Sequence, residues 1–225
     1  VFMSKSTSLF LAVVFVCLAF VLSRAQALPI IGPLPVPGVS AITACGFAIT
    51  KPGTYDLKND LHCGLGITAI SITNTSNVNL RLNGHKIQGV IPSNPFLGVI
   101  GISVTNAPTI TIHGEGATLT GFTQGIVASN TPHLTIAGLN GQNFTIQATL
   151  TGISANTGDN MALNYLDVGV AGTTFQPTGI AVKSLSTLTL SHASVHGLPK
   201  GPAPVYGVYL SRVNNVTSTA LTIAD

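Results

Sequence analysis

A short apolar motif recurs through most of this 225-residue chain and holds one register. Each copy opens with Gly or Ala followed by Ile or Val, at spacings of 24 to 32 residues. The copies are A-I-S-I-T-N at Ala69, G-I-S-V-T-N at Gly101, G-I-V-A-S-N at Gly125, G-I-S-A-N-T at Gly152, G-I-A-V-K-S at Gly179 and G-V-Y-L-S-R at Gly207. A chance resemblance would lose its spacing across turns of different sequence, so the register constrains the fold more than composition does.

A second apolar position follows the first at a constant distance of eight residues. It is occupied by Val78, Ile110, Leu134, Met161, Leu188 and Val216. Two residues further stand Leu80, Ile112, Ile136, Leu163 and Leu190, and only Ser218 breaks this series. Alternation with a period of two is typical of a half-buried strand.

Repeats of this length, built from short strands and turns without helical periodicity, indicate a coil of stacked parallel strands. A β-sandwich is the all-β alternative, but it would not hold one register through six copies. We therefore predict an all-β right-handed parallel β-helix of about six coils. Stacked at the usual strand spacing, these coils would make a rod about 29 Å long.

The N-terminal region predicts export. An apolar block from Leu9 to Leu22 precedes Ala25-Gln26-Ala27, and this order is typical of a secretory signal peptide over residues 1–27. The block is shorter than the roughly 20 residues of a membrane-spanning helix, and no second apolar helix follows it. We expect a secreted or extracytoplasmic protein with no membrane span after cleavage.

The remaining chain divides into a Pro-rich lead-in at 28–44, an N-terminal cap at 45–65 and β-helix repeats at 66–225. The sixth copy is still alternating where the sequence stops at Asp225. A solenoid needs an atypical terminal repeat to shield its last coil. The pattern therefore predicts a β-helix that continues beyond 225 or stacks end to end with a partner at Ile223.

Charge argues against a nucleic-acid partner. Of the nine Lys and Arg in the chain, Lys5 and Arg24 fall in the predicted leader, which leaves seven against six Asp and Glu. A near-neutral surface without a basic run offers no electrostatic footprint for nucleic acid.

Two cysteines remain after the predicted leader, Cys45 and Cys63. In an oxidising compartment they most simply form a disulfide, and closing a loop of this length stabilises a fold by roughly 3 kcal/mol. Two buried free thiols are the alternative. The segment between the cysteines is placed to cover the N-terminal end of the coil, where strand edges and core residues would otherwise be exposed.

Two stretches carry a more specific resemblance. They are C-G-F-A-I-T-K-P-G-T-Y-D-L-K-N-D-L-H-C (residues 45–63) and S-N-V-N-L-R-L-N-G-H-K-I-Q-G (residues 76–89). Together they resemble the N-terminal part of secreted parallel β-helix repeat proteins of the pectin-lyase-like superfamily. The resemblance implies a fold and a carbohydrate-related function without specifying a reaction. Arg81 departs from the pattern, which usually shows Asp at that position.

Turn chemistry accounts for several polar residues. Asn83-Gly84 supplies left-handed backbone angles, so we expect a bend there and a corner position for His85. Asn74, Asn106 and Asn130 each fall four residues after their anchoring Ile and should stack at one corner. Asp56 and Asp60 belong to the cap, where solvated turn residues are expected.

Few residues suggest catalysis. A glycoside hydrolase needs two carboxyl groups facing each other across roughly 5 to 9.5 Å. The catalytic candidates are Asp159 and Asp167, yet their positions in one repeat predict different corners. A calcium-dependent lyase would need several carboxylates around the ion, and none are clustered in the sequence.

His192 and His196 are the metal candidates. Their segment S-H-A-S-V-H-G is not helical, so a spacing of four residues does not bring both rings to one face. We predict neither a metal site nor a cofactor.

Tyr206 and Tyr209 are the candidate ligand-binding residues. Tyr209 faces outward by strand alternation and Tyr206 stands just before it, and outward aromatic rings suit sugar stacking. The sequence therefore predicts a non-catalytic β-helix that binds a polysaccharide or cell-surface glycan, or that serves as a cell-surface scaffold. The alternative is a polysaccharide lyase or glycoside hydrolase whose active site is incomplete in this chain.

Overall fold

The computed structural model describes residues 38–91, 98–139, 141–172, 176–199 and 204–224. Within these ranges the chain forms strands and turns and contains no helix, and accordingly none that could cross a membrane. The strands are β1 (Ser40–Ile42), β2 (Phe47–Ile49), β3 (Gly53–Leu57), β4 (Leu61–His62), β5 (Ile70–Thr73), β6 (Val78–Arg81), β7 (Lys86–Gln88), β8 (Ile100–Thr105), β9 (Thr109–His113), β10 (Thr118–Ser129), β11 (His133–Ala137), β12 (Phe144–Val170), β13 (Thr178–His196) and β14 (Tyr206–Ile223). The predicted signal peptide lies outside the described residues.

The strands pair in parallel and stack in three columns, one strand per turn in each column. The first column contains β2, β5, β8 and residues 124–129, 151–156, 178–183 and 206–211. The second contains β1, β3, β6, β9, β11 and residues 160–164, 187–191 and 215–219. The third contains β4, β7 and residues 118–120, 145–146, 166–169, 193–196 and 221–223. This arrangement confirms an all-β parallel solenoid of about six turns, and right-handed winding stays a prediction.

The predicted register is confirmed. Ile70, Ile102, Ile126, Ile153 and Ile180 stack as one buried file in the first column. The second column repeats this with the predicted series from Val78 to Leu188. Fully burying such a side chain contributes about 2 kcal/mol, so these files hold the turns together.

The glycine that opens five of the six motifs packs against the third column. A Cβ on Gly152 would collide with the side chain of Val168, and one on Gly179 would collide with Val195. The first and third columns therefore approach closely at this point, and the repeated Gly is needed for that approach.

The corner after the first column carries the predicted asparagine stack. The side-chain amide of Asn106 donates to Asn74 Oδ1 at 3.1 Å, and that of Asn130 donates to Asn106 Oδ1 at 2.9 Å. All three residues have left-handed backbone angles, with φ between 50° and 52°. Asn tolerates this conformation better than most side chains do, so the stack is confirmed as a structural feature.

The corner after the second column changes along the molecule. In the first turn Asn83 and Gly84 are both left-handed, at φ 51° and 73°, which confirms the predicted bend and the corner position of His85. Later turns make this corner with one left-handed residue: Tyr165, His192 or Ala220. These tighter corners let β12, β13 and β14 run through all three columns without interruption.

A disulfide joins Cys45 to Cys63, as predicted, with their Cα atoms 5.5 Å apart. It closes the segment that contributes β2, β3 and β4, and each of these strands is paired with the first full turn. β1 lies within 28–44 and pairs with β3, so the second column starts before residue 45.

The expectation that Asp56 is a solvated turn residue is wrong. Asp56 lies on β3 and is only 7% exposed. Its carboxylate accepts a hydrogen bond from Arg81 Nε at 2.6 Å and another from Lys58 Nζ at 2.9 Å. Asp56 and Arg81 are register partners in the second column. Arg81 therefore pairs the cap with the first turn.

The last described turn is less well covered than the others. Val216 and Ile223 continue the inward files, yet they are 46% and 52% exposed. Within the described residues, β14 pairs with β13 alone. The inward side chains of this turn therefore bury less apolar surface than the side chains at the same positions of earlier turns.

Candidate functional site

Tyr206 and Tyr209 line an open groove on the outer face of the first column. The groove has a volume of about 500 Å³ and extends across the last four described turns. Its lining residues are Ser129, Thr151, Ser154, Asn156, Gln176, Thr178, Ala181, Lys183, Tyr206 and Tyr209. We call this feature the first-column groove.

The alternation of the strands places one file of these side chains outside. Tyr209 directly follows the inward Val208 and stacks in register on Ala181, which in turn stacks on Ser154. Successive residues of a strand face opposite sides, so this file points away from the core. Because its neighbours in the file are small, Tyr209 forms one wall of an open space.

The aromatic side chains form a pair. The rings of Tyr206 and Tyr209 have centroids 5.3 Å apart and planes inclined at 61°, an edge-to-face arrangement. Lys183 Nζ lies 5.8 Å from the centroid of the Tyr209 ring. At this distance the ammonium group interacts favourably with the ring face, which favours keeping Lys183 beside Tyr209.

The polarity of the groove suits binding more than bond cleavage. Hydroxyl and amide groups from the Ser, Thr, Asn and Gln side chains make up most of the described lining, and Lys183 is its charged group. None of the described lining residues is acidic. The groove can therefore stack a ring, donate and accept hydrogen bonds and attract an anion, but it lacks a carboxylate pair for glycoside hydrolysis.

Asp159 and Asp167 lie away from the groove and on different faces. Asp159 directly precedes the second-column segment of β12, and its backbone N–H donates to Pro132 at 3.1 Å. Asp167 belongs to the third column, where it pairs with Ser194. The structure does not bring the two carboxylates to a common site.

His192 and His196 each contact a different residue of β12. The His192 ring stacks on Tyr165, with centroids 4.6 Å apart and planes inclined at 7°. His196 Nε2 lies 3.1 Å from Asp167 Oδ1. In the part of the chain that the structure describes, no group of three or more His, Cys, Asp or Glu side chains could hold a metal ion.

The contacts of Asp167 and Tyr165 were missed in the sequence. Each contact joins two residues of neighbouring turns that are 27 or more residues apart along the chain. The register signal could have located Asp167 near His196, since Gly169 aligns with His196. It could not have determined which way the imidazole turns.

A second carboxylate contact ties the cap to the first corner. Asp60 Oδ1 accepts a hydrogen bond from the backbone N–H of Lys86 at 2.9 Å and lies 3.2 Å from His85 Nδ1. The Lys86 N–H has the largest effect and lowers the pKa of the Asp60 carboxyl; desolvation opposes it, and His85 lowers the pKa further. His85 therefore has a structural contact.

Arg81 and Lys58 control the ionisation of Asp56. Burial alone would raise the pKa of Asp56, but the hydrogen bonds and charges of Arg81 and Lys58 outweigh it, and the pKa is lowered. The carboxylate is thus held ionised within the cap, where it serves pairing between strands.

Comparison of the chain with models of protein families, with curated proteins and with solved structures finds no match. The parallel solenoid and the geometry of its surfaces are therefore the basis for assigning a function.

Proposed function

We propose that this protein is an exported, non-catalytic β-helix that binds carbohydrate in the first-column groove. The observation that carries the proposal is the paired rings of Tyr206 and Tyr209 beside Lys183, in a groove lined by hydroxyl and amide groups. Sugars offer both apolar faces for stacking on aromatic rings and many hydroxyl groups for hydrogen bonds. A polysaccharide or cell-surface glycan matches both parts of the lining.

The size of the groove supports a chain-like ligand. It spans strands of four successive turns, and neighbouring strands lie about 4.8 Å apart, so its length along the solenoid is on the order of 15 Å. An open groove of this length can receive an internal segment of a polymer. A free end is not required.

The charge of the groove supports an acidic glycan over a neutral one. Lys183 forms no ion pair within the described residues and faces the groove beside Tyr209. A carboxylated or sulfated sugar would gain a charge-assisted contact with its ammonium group. Neutral glycans would retain the stacking and hydrogen bonds and bind more weakly.

Export is supported by the disulfide and by the leader-like N-terminal sequence. The Cys45–Cys63 bond is of a kind that persists in oxidising compartments. The resemblance to secreted β-helix proteins of the pectin-lyase-like superfamily agrees with this location and with a carbohydrate ligand.

Binding can be measured by calorimetry with pectin, alginate, xylan and other glycans of defined charge. We expect Tyr209→Ala to weaken binding by about ten-fold or more, as for a central aromatic contact. Lys183→Gln should reduce affinity for acidic glycans and leave affinity for neutral ones unchanged. Tyr165→Ala and Lys51→Gln remove matched side chains outside the groove and should leave binding intact.

The same glycans test the enzymatic alternative. Release of new reducing ends would indicate a hydrolase, and release of unsaturated ends would indicate a lyase. Either result from the wild-type protein would overturn the non-catalytic assignment. Binding that survives Tyr209→Ala and Lys183→Gln together would overturn the assignment of the groove.

A further inference from the structure

A second cavity lies at the corner after the second column, away from the first-column groove. It has a volume of about 280 Å³ and is lined by Asn83, Glu115, Leu139 and Gln142. The three polar side chains come from three successive turns. Among the described residues, the corner therefore collects one carboxylate and two amide groups along the solenoid axis.

The amide of Asn83 is oriented by the cap. Its Nδ2 donates to the carbonyl oxygen of Leu57 at 3.1 Å. This bond uses the nitrogen of the amide and leaves Oδ1 as the acceptor on its other arm. Asn83 can thus offer oxygen to a ligand without losing its structural contact.

The amide of Gln142 is placed by its own turn and by a neighbouring glycine. The Gln142 N–H donates to the Leu139 carbonyl at 3.0 Å, which closes the turn. The side-chain oxygen Oε1 of Gln142 lies over Gly116. A Cβ added to Gly116 would be 3.0 Å from this oxygen. Gly116, the residue after Glu115, therefore leaves room for this oxygen in the cavity that both side chains line.

Glu115 is a half-buried carboxylate with a left-handed backbone angle of 46°. Across the ranges that the structure covers, it forms no ion pair with Lys, Arg or His. Among the described residues with positive φ other than glycine, it is the only acidic one. A partly buried carboxylate gains from a positive partner because water screens the attraction less there than in bulk solvent, and no described side chain forms such an ion pair with Glu115.

We propose that this corner binds a hard divalent cation of the calcium class. The Glu115 carboxylate, Asn83 Oδ1 and Gln142 Oε1 would be its protein ligands, with water completing the shell. Calcium accepts carboxylate and amide oxygens in flexible geometry, whereas magnesium demands a near-ideal octahedron and gives up water reluctantly. A site with a single carboxylate is expected to bind calcium weakly, with a Kd on the order of 0.1 to 1 mM, as extracellular modules do.

The test uses the full 225-residue protein, freed of metal, in calorimetric titrations with CaCl₂ and with MgCl₂ at fixed ionic strength. We expect saturable binding of one calcium ion, a rise in Tm with calcium concentration and a smaller effect of magnesium. Glu115→Gln should abolish calcium binding. Gln142→Glu adds a second carboxylate at the same place and should strengthen it.

Asp159→Asn is the matched control, because it removes an exposed carboxylate outside the cavity. It should leave calcium binding unchanged. The proposal fails if calcium does not bind up to about 10 mM, well above the affinity range of weak calcium sites. It also fails if Glu115→Gln, folded as judged by circular dichroism, binds calcium as the wild type does.

Discussion

The early and late turns of the solenoid make the same corner with different side chains. After the first column, the early turns use Asn74, Asn106 and Asn130, joined by hydrogen bonds between their amides. The late turns place Thr157, Ser184 and Arg212 there, also with positive φ between 54° and 65°. The backbone conformation thus persists where the amide ladder ends, which indicates that strand stacking determines the corner and that Asn stabilises it.

The two regions also differ at the other corner. Early turns bend through Asn83-Gly84 and Glu115-Gly116, and each pair interrupts the strand. Late turns bend at Tyr165 or His192, whose rings stack on each other. The early corner leaves a polar cavity, and the late corner carries a stacked pair of aromatic rings. Predictions about stability can therefore be made separately for each region.

The largest difference is expected in the core. Ile110→Ala, in an early turn where the side chain is almost fully buried, should lower the free energy of unfolding by about 4 kcal/mol. Val216→Ala, in the same file of the last described turn, should cost less than about 1 kcal/mol because that side chain is already half exposed. Urea unfolding of both variants measures this. Equal losses would show that the last described turn is as well packed as the early ones.

Loss of the disulfide should lower the free energy of unfolding nearly as much, and it should destabilise only the early turns. Cys63→Ser opens a loop whose cysteines are 18 residues apart and should reduce stability by about 3 kcal/mol. The circular dichroism spectrum should remain that of a β-protein, since the coil does not depend on the bond. Thiol alkylation of the exported, unreduced wild type provides the control: reaction at both cysteines would contradict the bond.

The asparagine ladder is the next largest contribution. Asn106→Ala removes one donated and one accepted hydrogen bond and puts a less tolerant residue at φ 51°. We expect a loss of about 2 kcal/mol, at roughly 1 kcal/mol for each hydrogen bond. Ser184→Ala at the equivalent late corner should cost less than half as much. Thermal unfolding compares the two, and similar shifts in Tm would argue against a stabilising role for the ladder.

The Asp56–Arg81 pair should make the cap sensitive to acid. The pKa of Asp56 is lowered in the folded state, so the unfolded state takes up its proton first as pH falls. The stabilisation is complete above the unfolded value of about 4 and is lost below it. Arg81→Gln should therefore destabilise the protein at neutral pH and flatten the decline in stability between pH 5 and about 2. Unfolding by urea across this range is the measurement. A parallel decline in both proteins would exclude the pair as the cause.

The smallest effect is a gain. Thr157→Asn replaces a β-branched residue at φ 65° and extends the ladder beyond Asn130. Relief of the unfavourable backbone angle and one added hydrogen bond should raise stability by about 1 kcal/mol. The matched change Thr189→Asn lies on an outward strand position and should not raise Tm. A destabilised Thr157→Asn protein would mean that the late corner cannot accept the ladder geometry.

The sequence by itself determined the repeating part of this protein. The inward files, the parallel register, the Asn stack and the Asn83-Gly84 bend follow from residue type at constant spacing, since a stacked strand buries alternate residues wherever it lies. The disulfide followed from there being two cysteines in a predicted exported chain. These features depend on local pattern and on neighbours exactly one turn away.

Tertiary structure decided which outward side chains meet. The Asp56–Arg81 pair, the Tyr165–His192 stack and the Asp167–His196 contact all join different turns. Tyr209 could be identified as an outward aromatic with Tyr206 just before it, but their groove with Lys183 could not. Turn lengths vary from repeat to repeat and outward side chains can take several rotamers, so their contacts are set only when the turns are stacked. An inward side chain, by contrast, is buried only when it points into the core.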